Sequence, residues 1–233
     1  MRDPNLRCEA AEALLLTRRD ATSLLALGAL GATMTFAHDA LGAEWETIDQ
    51  EHGIEVFRKD VPGTPLHAFR GRGLIQAPMD KLIWVMGDNA HRTEWVDRLK
   101  KSVILEQEDS YSSIVYQHFG TPALVAERDF VYRARARSLP DGSARLDIAS
   151  LQHPKAPPTV GVRGELRDSS YLFVPQGPGA TVVDVVVLTD PKGSLPKWAV
   201  NLVQKSWPMN TLLALRQQVK KPFVRTMPPP PLR

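Results

Sequence analysis

The chain has 233 residues, 43% of them hydrophobic and 24% charged, which supports one domain with a sizeable core. Its formal net charge of +3, with no lysine-rich run and no RNA-binding aromatic signature, argues against nucleic acid as a partner. The single cysteine, Cys8, allows neither an intrachain disulfide nor a cysteine-based zinc site.

Residues 1–43 read as an address rather than a fold element. Arg18 and Arg19 precede an uncharged stretch rich in Leu, Ala and Gly, followed by the small-residue segment AHDALGA. That is the order of a secretory signal, and the apolar part is short for a bilayer span. The stretch TRRDATSLLALGALGA resembles a bacterial twin-arginine export signal, with Ala21 where a large apolar residue usually stands. Cleavage near Ala37 or near Ala43 would leave a mature chain in the periplasm or otherwise outside the cytoplasm. The alternative is an amphipathic first helix of the domain.

From Trp45 onward the pattern is strand-rich. IEVFRKDV (54–61) alternates apolar and polar residues up to a Pro62-Gly63 turn, and HAFRGRGLIQ (67–76) is its expected antiparallel partner. Pro78 opens a helix in which Leu82, Ile83, Val85 and Met86 are apolar, and HRTEWV (91–96) is expected to form one or two helical turns. Six strands follow, at 100–109, 112–120, 128–139, 144–153, 162–176 and 180–190, with turns at Asp109-Ser110, Asp141-Gly142 and Gly177-Pro178-Gly179. In RDFVYRARARSL, Arg133, Arg135 and Arg137 share one face, and Ala134 and Ala136 the other. A basic outer face can meet anionic lipid head groups, or simply be solvated. A last helix is expected over 195–220, with Leu195, Ala199, Leu202, Ser206, Met209 and Leu213 on one stripe and Pro208 kinking or interrupting it. The stripe fits a plain core-covering helix and a mobile lid equally well. MPPPPLR (227–233) cannot continue a helix and reads as an exposed tail. The order β-β-α-α, six strands, α is an α+β helix-grip arrangement: a curved antiparallel sheet wrapped around a long C-terminal helix.

Four segments carry a family resemblance: TEWV (93–96), ERDFVYRAR (127–135), VRGELRDSSYLF (162–173) and DPKGSLPKWAVN (190–201). Their order and spacing resemble a START domain, the lipid-transfer domain related to the steroidogenic acute regulatory protein. The domain is expected over 44–222, with 223–233 as a proline-rich tail. The resemblance implies an internal apolar cavity between sheet and last helix that holds one lipid. It also implies an entrance gated by that helix and by the loop GTPALVAE (120–127). The residues it places around the cavity are Val115, Gln117, Leu124, Phe130, Tyr132, Ala134, Ile148, Ser150, Trp198, Leu202, Met209 and Leu213. Sterol-binding members often carry an acid and an arginine facing each other inside the cavity. Those positions fall on Val115 and Ala134, both apolar in this chain. Losing both avoids a buried unpaired charge and leaves Gln117, Ser150 or Tyr132 as candidate head-group contacts.

No catalytic or metal residues are expected. The sequence has no nucleophile elbow, H-E-x-x-H, P-loop or dinucleotide fingerprint, and His52, His67, His91, His118 and His153 are scattered. The expected role is noncatalytic binding and transfer of a sterol, hopanoid, phospholipid or fatty acid by a monomer. No cofactor is implied, and membrane contact would be transient. The alternatives are an enzyme on the same scaffold, such as an aromatase/cyclase or hydrolase, and a ligand-sensing interaction module.

Overall fold

A computed structural model of the chain describes residues 45–121, 125–193, 195 and 197–232, with the side chains of all but 197–204. The expected export signal (1–43) lies outside the described residues. The strands are β1 (Glu46–Glu51), β2 (Ile54–Asp60), β3 (His67–Ile75), β4 (Leu99–Asp109), β5 (Ser112–Phe119), β6 (Arg128–Ser138), β7 (Ala144–Ser150), β8 (Val162–Arg163), β9 (Glu165–Pro175) and β10 (Thr181–Asp190). The helices are α1 (Met79–Gly87), α2 (Arg92–Trp95) and α3 (Lys197–Gln218).

These strands form one sheet in the order β1-β2-β3-β10-β9-β7-β6-β5-β4. Every pairing is antiparallel except the short β8, which runs parallel to β6. The last strand closes the sheet onto the N-terminal hairpin, with Val185 opposite Gly71. Alternation explains the faces. In β2, Ile54 and Val56 are buried between more accessible neighbours. With Leu82 and Val85 of α1, Phe173 and Val183 in the sheet, and Leu212 and Leu215 of α3, they form the main core. A smaller cluster lies on the other face, where Ile114, Tyr116 and Val131 are covered by Leu151 and Ala156 of the loop after β7.

The α+β helix-grip class holds. Helix α3 lies on β3 and β2, and the reason is local. A Cβ added at Gly71 would stand 2.7 Å from the Cβ of Pro208 and 3.3 Å from Leu212 Cδ1. The bare backbone at Gly71 therefore lets the helix come close at its proline. Farther along, Arg216 donates to the carbonyls of His52 (2.7 Å), Leu74 (3.1 Å) and Gly53 (3.3 Å).

Several expectations need correction. Strand β1 has no apolar alternation in its sequence, ETIDQE, and forms by edge pairing with β2. The strand expected over 162–176 is broken at Gly164, where any Cβ would meet Phe130 Cε1 at 2.4 Å. The expected stripe on the last helix is rotated. Of its members Met209 is buried in the core, Ser206 is exposed and Leu213 only half-buried, the side chains of Ala199 and Leu202 lying outside the described residues; Pro208, Thr211, Leu212, Leu215 and Val219 complete the buried face, because the helix is registered by Pro208 on Gly71. The tail is not loose. Met227 N–H donates to Asp80 O, Tyr111 Oη–H to Pro228 O, and Ser138 to the carbonyls of Pro230 and Pro231.

Candidate ligand-binding cavity

The concave face of β5, β6, β7, β9 and β10 bounds a cavity whose other walls are the α1–α2 segment and α3. The centre of a water-sized sphere can range over ≈ 260 Å³ of it, far more than the roughly 10–15 Å³ that one water needs. Strand alternation supplies the lining. Val115, Gln117 and Phe119 come from β5, Phe130, Tyr132 and Ala134 from β6, and Leu146 and Ile148 from β7. Leu166 and Tyr171 of β9 and Val187 of β10 continue the wall, and Trp207 of α3 sits edge-on to Tyr171, with ring centroids 6.5 Å apart.

Of the twelve residues expected around the cavity, the structure brings Val115, Gln117, Phe130, Tyr132, Ala134 and Ile148 together on this wall. It does not bring in Ser150, whose hydroxyl accepts the Leu166 N–H at 2.9 Å. Nor does it bring in Met209 and Leu213, which pack in the main core because α3 is rotated as described. Leu124 lies outside the described residues, and so do the side chains of Trp198 and Leu202. Gln117 is already engaged. Its amide donates to Ser102 Oγ (3.2 Å), which donates in turn to Asn89 Oδ1 (2.6 Å).

One charge on the cavity wall sits at a place the sequence did not suggest. Arg92, at the start of α2, faces the cavity. Its guanidinium donates to Met86 O and lies 5.4 Å from the Trp95 ring centroid. Its Nε is buried and has no hydrogen-bond partner among the described residues. Tyr132 and Tyr171 are the nearby phenols. Burial pushes both upward, and the Arg92 charge pulls the other way. They remain protonated, and hence able to donate, at any ordinary pH.

The loop before β6 and the segment after β10 are tied together by Arg128. This buried guanidinium donates to Ala126 O, to Pro191 O (3.0 Å) and to Lys192 O (3.2 Å). Glu127 beside it binds Lys100 and His118 Nε2, and those two hydrogen bonds hold its carboxyl below the usual range. The Lys192 side chain bridges Glu165 (3.0 Å) and Asp190 (2.7 Å). No histidine, cysteine or glutamate lines the cavity among the described residues, and none of the described residues form a metal-holding cluster. Asp97 is the carboxylate among its lining residues.

A helix-grip sheet with a largely apolar hollow, whose wall includes Arg92, Arg98 and Arg128, is what a lipid-binding domain needs. The family model for the START domain matches residues 38–222. The chain belongs to the START domain family. An uncharacterized protein of Pseudomonas aeruginosa is 28% identical over 196 residues, covering 82% of this chain and 94% of that one. The phosphatidylcholine transfer protein of Bos taurus is 26% identical over 176 residues, covering 73% and 82%. Among solved structures, a StAR-related lipid transfer protein from Xanthomonas axonopodis superposes with a TM-score of 0.69 at 25% identity, over 76% of this chain and 99% of that one. Human STARD10 gives 0.70 at 22% identity, over 81% and 84%, and shares the fold. START membership supports lipid binding and transfer without catalysis.

Proposed function

We propose that the protein binds one acid-bearing lipid, a phospholipid or a fatty acid, and carries it between membranes with the acid group on Arg92. The observation that carries this reading is Arg92 itself: a guanidinium facing an apolar cavity, with a buried Nε lacking a partner among the described residues and the phenols of Tyr132 and Tyr171 nearby. A buried cation is costly alone and stable beside an anion. A guanidinium offers several N–H donors to one anionic oxygen group, and phenols can add more. The acyl chains would gain about 25 cal/mol per Å² of surface removed from water. The bovine relative named for phosphatidylcholine transfer supports a phosphoryl head group. A sterol or hopanoid would leave the guanidinium uncompensated, and Val115 with Ala134 offers no charged pair in its place.

Entry in this reading is past the N-terminal half of α3 and the 120–127 loop, the side on which Arg128 joins the two loops. The transfer would take place in the periplasm, after export directed by Arg18 and Arg19, with transient contact at membrane surfaces.

The test is organic extraction and native mass spectrometry of the purified protein, alongside the Arg92→Gln variant. Wild type is expected to retain or take up phosphatidylcholine or a fatty acid. Arg92→Gln should weaken that binding about tenfold to a hundredfold, the loss of one or two charge-assisted hydrogen bonds. Wild type that stays empty against all four lipid classes rejects the function. An Arg92→Gln variant with wild-type affinity rejects the anchor alone.

A further inference from the structure

We infer that residues 222–232 form a strap that fastens the α1–α2 wall of the cavity from outside and so sets how readily that wall opens. All but its first residue lies beyond the residues matched by the family. After α3 the chain turns, and Phe223 stacks flat on His91, with centroids 3.9 Å apart and planes 15° apart. His91 is held by Asp88 Oδ2 at 2.7 Å and directly precedes Arg92. Phe223 also lies 6.4 Å from Trp84 of α1. Val224 and Met227 pack against the main core, and Met227 N–H donates to Asp80 O of α1 at 3.2 Å.

Beyond α1 the strap crosses to the sheet. Pro228 O accepts from Tyr111 Oη–H at 2.9 Å, and Pro231 O accepts from Ser138 N–H at 3.0 Å. One end of the strap is therefore continuous with α3, its middle grips α1 and His91, and its far end is fixed to the β4–β5 turn and the end of β6. The wall between these points carries Met86, Arg92 and Trp95, all of which face the cavity.

The four prolines suit this task. Proline has no N–H to satisfy, and Pro228, Pro230 and Pro231 all make their contacts through carbonyls. A run of prolines is already extended as polyproline II before docking. Ordering it costs less conformational entropy than ordering a flexible backbone of the same length. A few hydrogen bonds and one stacked ring can then hold a segment that would otherwise fray.

The fastening stands on contacts alone; its effect on lipid exchange rests on the lipid-binding reading. Hydrogen exchange of the intact protein separates the two. Three variants are compared with wild type: a chain ending at Lys221, Phe223→Ala, and one with Pro228 to Pro231 replaced by Gly-Ser repeats. Amides of residues 79–96 should exchange about tenfold faster in each, while β9 and β10 keep their protection. Unchanged exchange over 79–96 in Phe223→Ala and the Gly-Ser variant overturns the inference, as does uniform acceleration over the whole domain. In a second arm, release of fluorescent phosphatidylcholine should quicken by a similar factor. Wild type that loads no lipid rejects the lipid reading and leaves the exchange result to decide the strap.

Discussion

Gly71→Ala tests how α3 is seated. The added Cβ would lie 2.7 Å from Pro208 Cβ and 3.4 Å from the Pro208 carbonyl carbon. Comfortable carbon contacts are about 3.5–4.0 Å, so helix and strand must separate by nearly 1 Å at this point. Neither side yields easily. Pro208 is a rigid ring inside a helix, and Gly71 is paired in the sheet with Val185 and Val56. Overpacking of this kind costs about 1–3 kcal/mol. At roughly 2–4 °C per kcal/mol for a domain of this size, Tm should fall by about 4–8 °C for a cost near 2 kcal/mol. Gly87→Ala is the control, because its Cβ would meet nothing within 4 Å. Thermal unfolding followed by circular dichroism reads both variants. A Gly71→Ala protein that melts with wild type would refute the claim that the bare backbone at Gly71 registers the helix.

Two further outcomes are expected. Asp129 is fully buried; burial alone would raise its pKa, but Arg163, Thr159 and the Val160 N–H outweigh that and hold it low. A lowered folded pKa stabilises the protein above the unfolded value of about 3.9 and is lost as pH falls through the folded one. Denaturant unfolding from pH 6 to pH 2 should show this loss, and Asp129→Asn should flatten that part of the profile; an identical slope in the variant would contradict the assignment. Replacing both Arg18 and Arg19 by Lys should leave the protein in the cytoplasm on fractionation of the host cell, and undiminished export would exclude the twin-arginine route.

The sheet was legible where one face is apolar. In β6, Ala134 and Ala136 alternate with Arg133, Arg135 and Arg137, which sets an apolar face against a basic one, while Phe130 and Tyr132 were assigned to the cavity by the family resemblance. Strand β1 was not legible, because an exposed edge strand held by backbone pairing needs no apolar pattern. Nor was the break at Gly164, which depends on a Phe130 ring 34 positions away in sequence. Arg92 was missed for a related reason. In HRTEWV it resembles any solvated helix charge, and only the fold turns it inward over Tyr132 and Tyr171. The final helix was placed within two residues at each end, but its buried face was misread. Spacing gives a stripe, whereas the actual face is chosen by Pro208 and Arg216 meeting β3. The proline tail was read from what prolines cannot do, while its carbonyls and the ring of Phe223 decide where it lies.

The fastening of α3 at one end has a mechanical consequence. Arg216 clamps the C-terminal half to three carbonyls, and Pro208 rests on Gly71 like a fulcrum. The portion from Lys197 to Trp207 is then a cantilever roughly 16 Å long at 1.5 Å per residue. A tilt of about 20° at the fulcrum would sweep its tip through roughly 5–6 Å, close to one helical turn. A small angular change at the proline would thus become a displacement of about one helical turn at Lys197, while Arg216 keeps its three carbonyls.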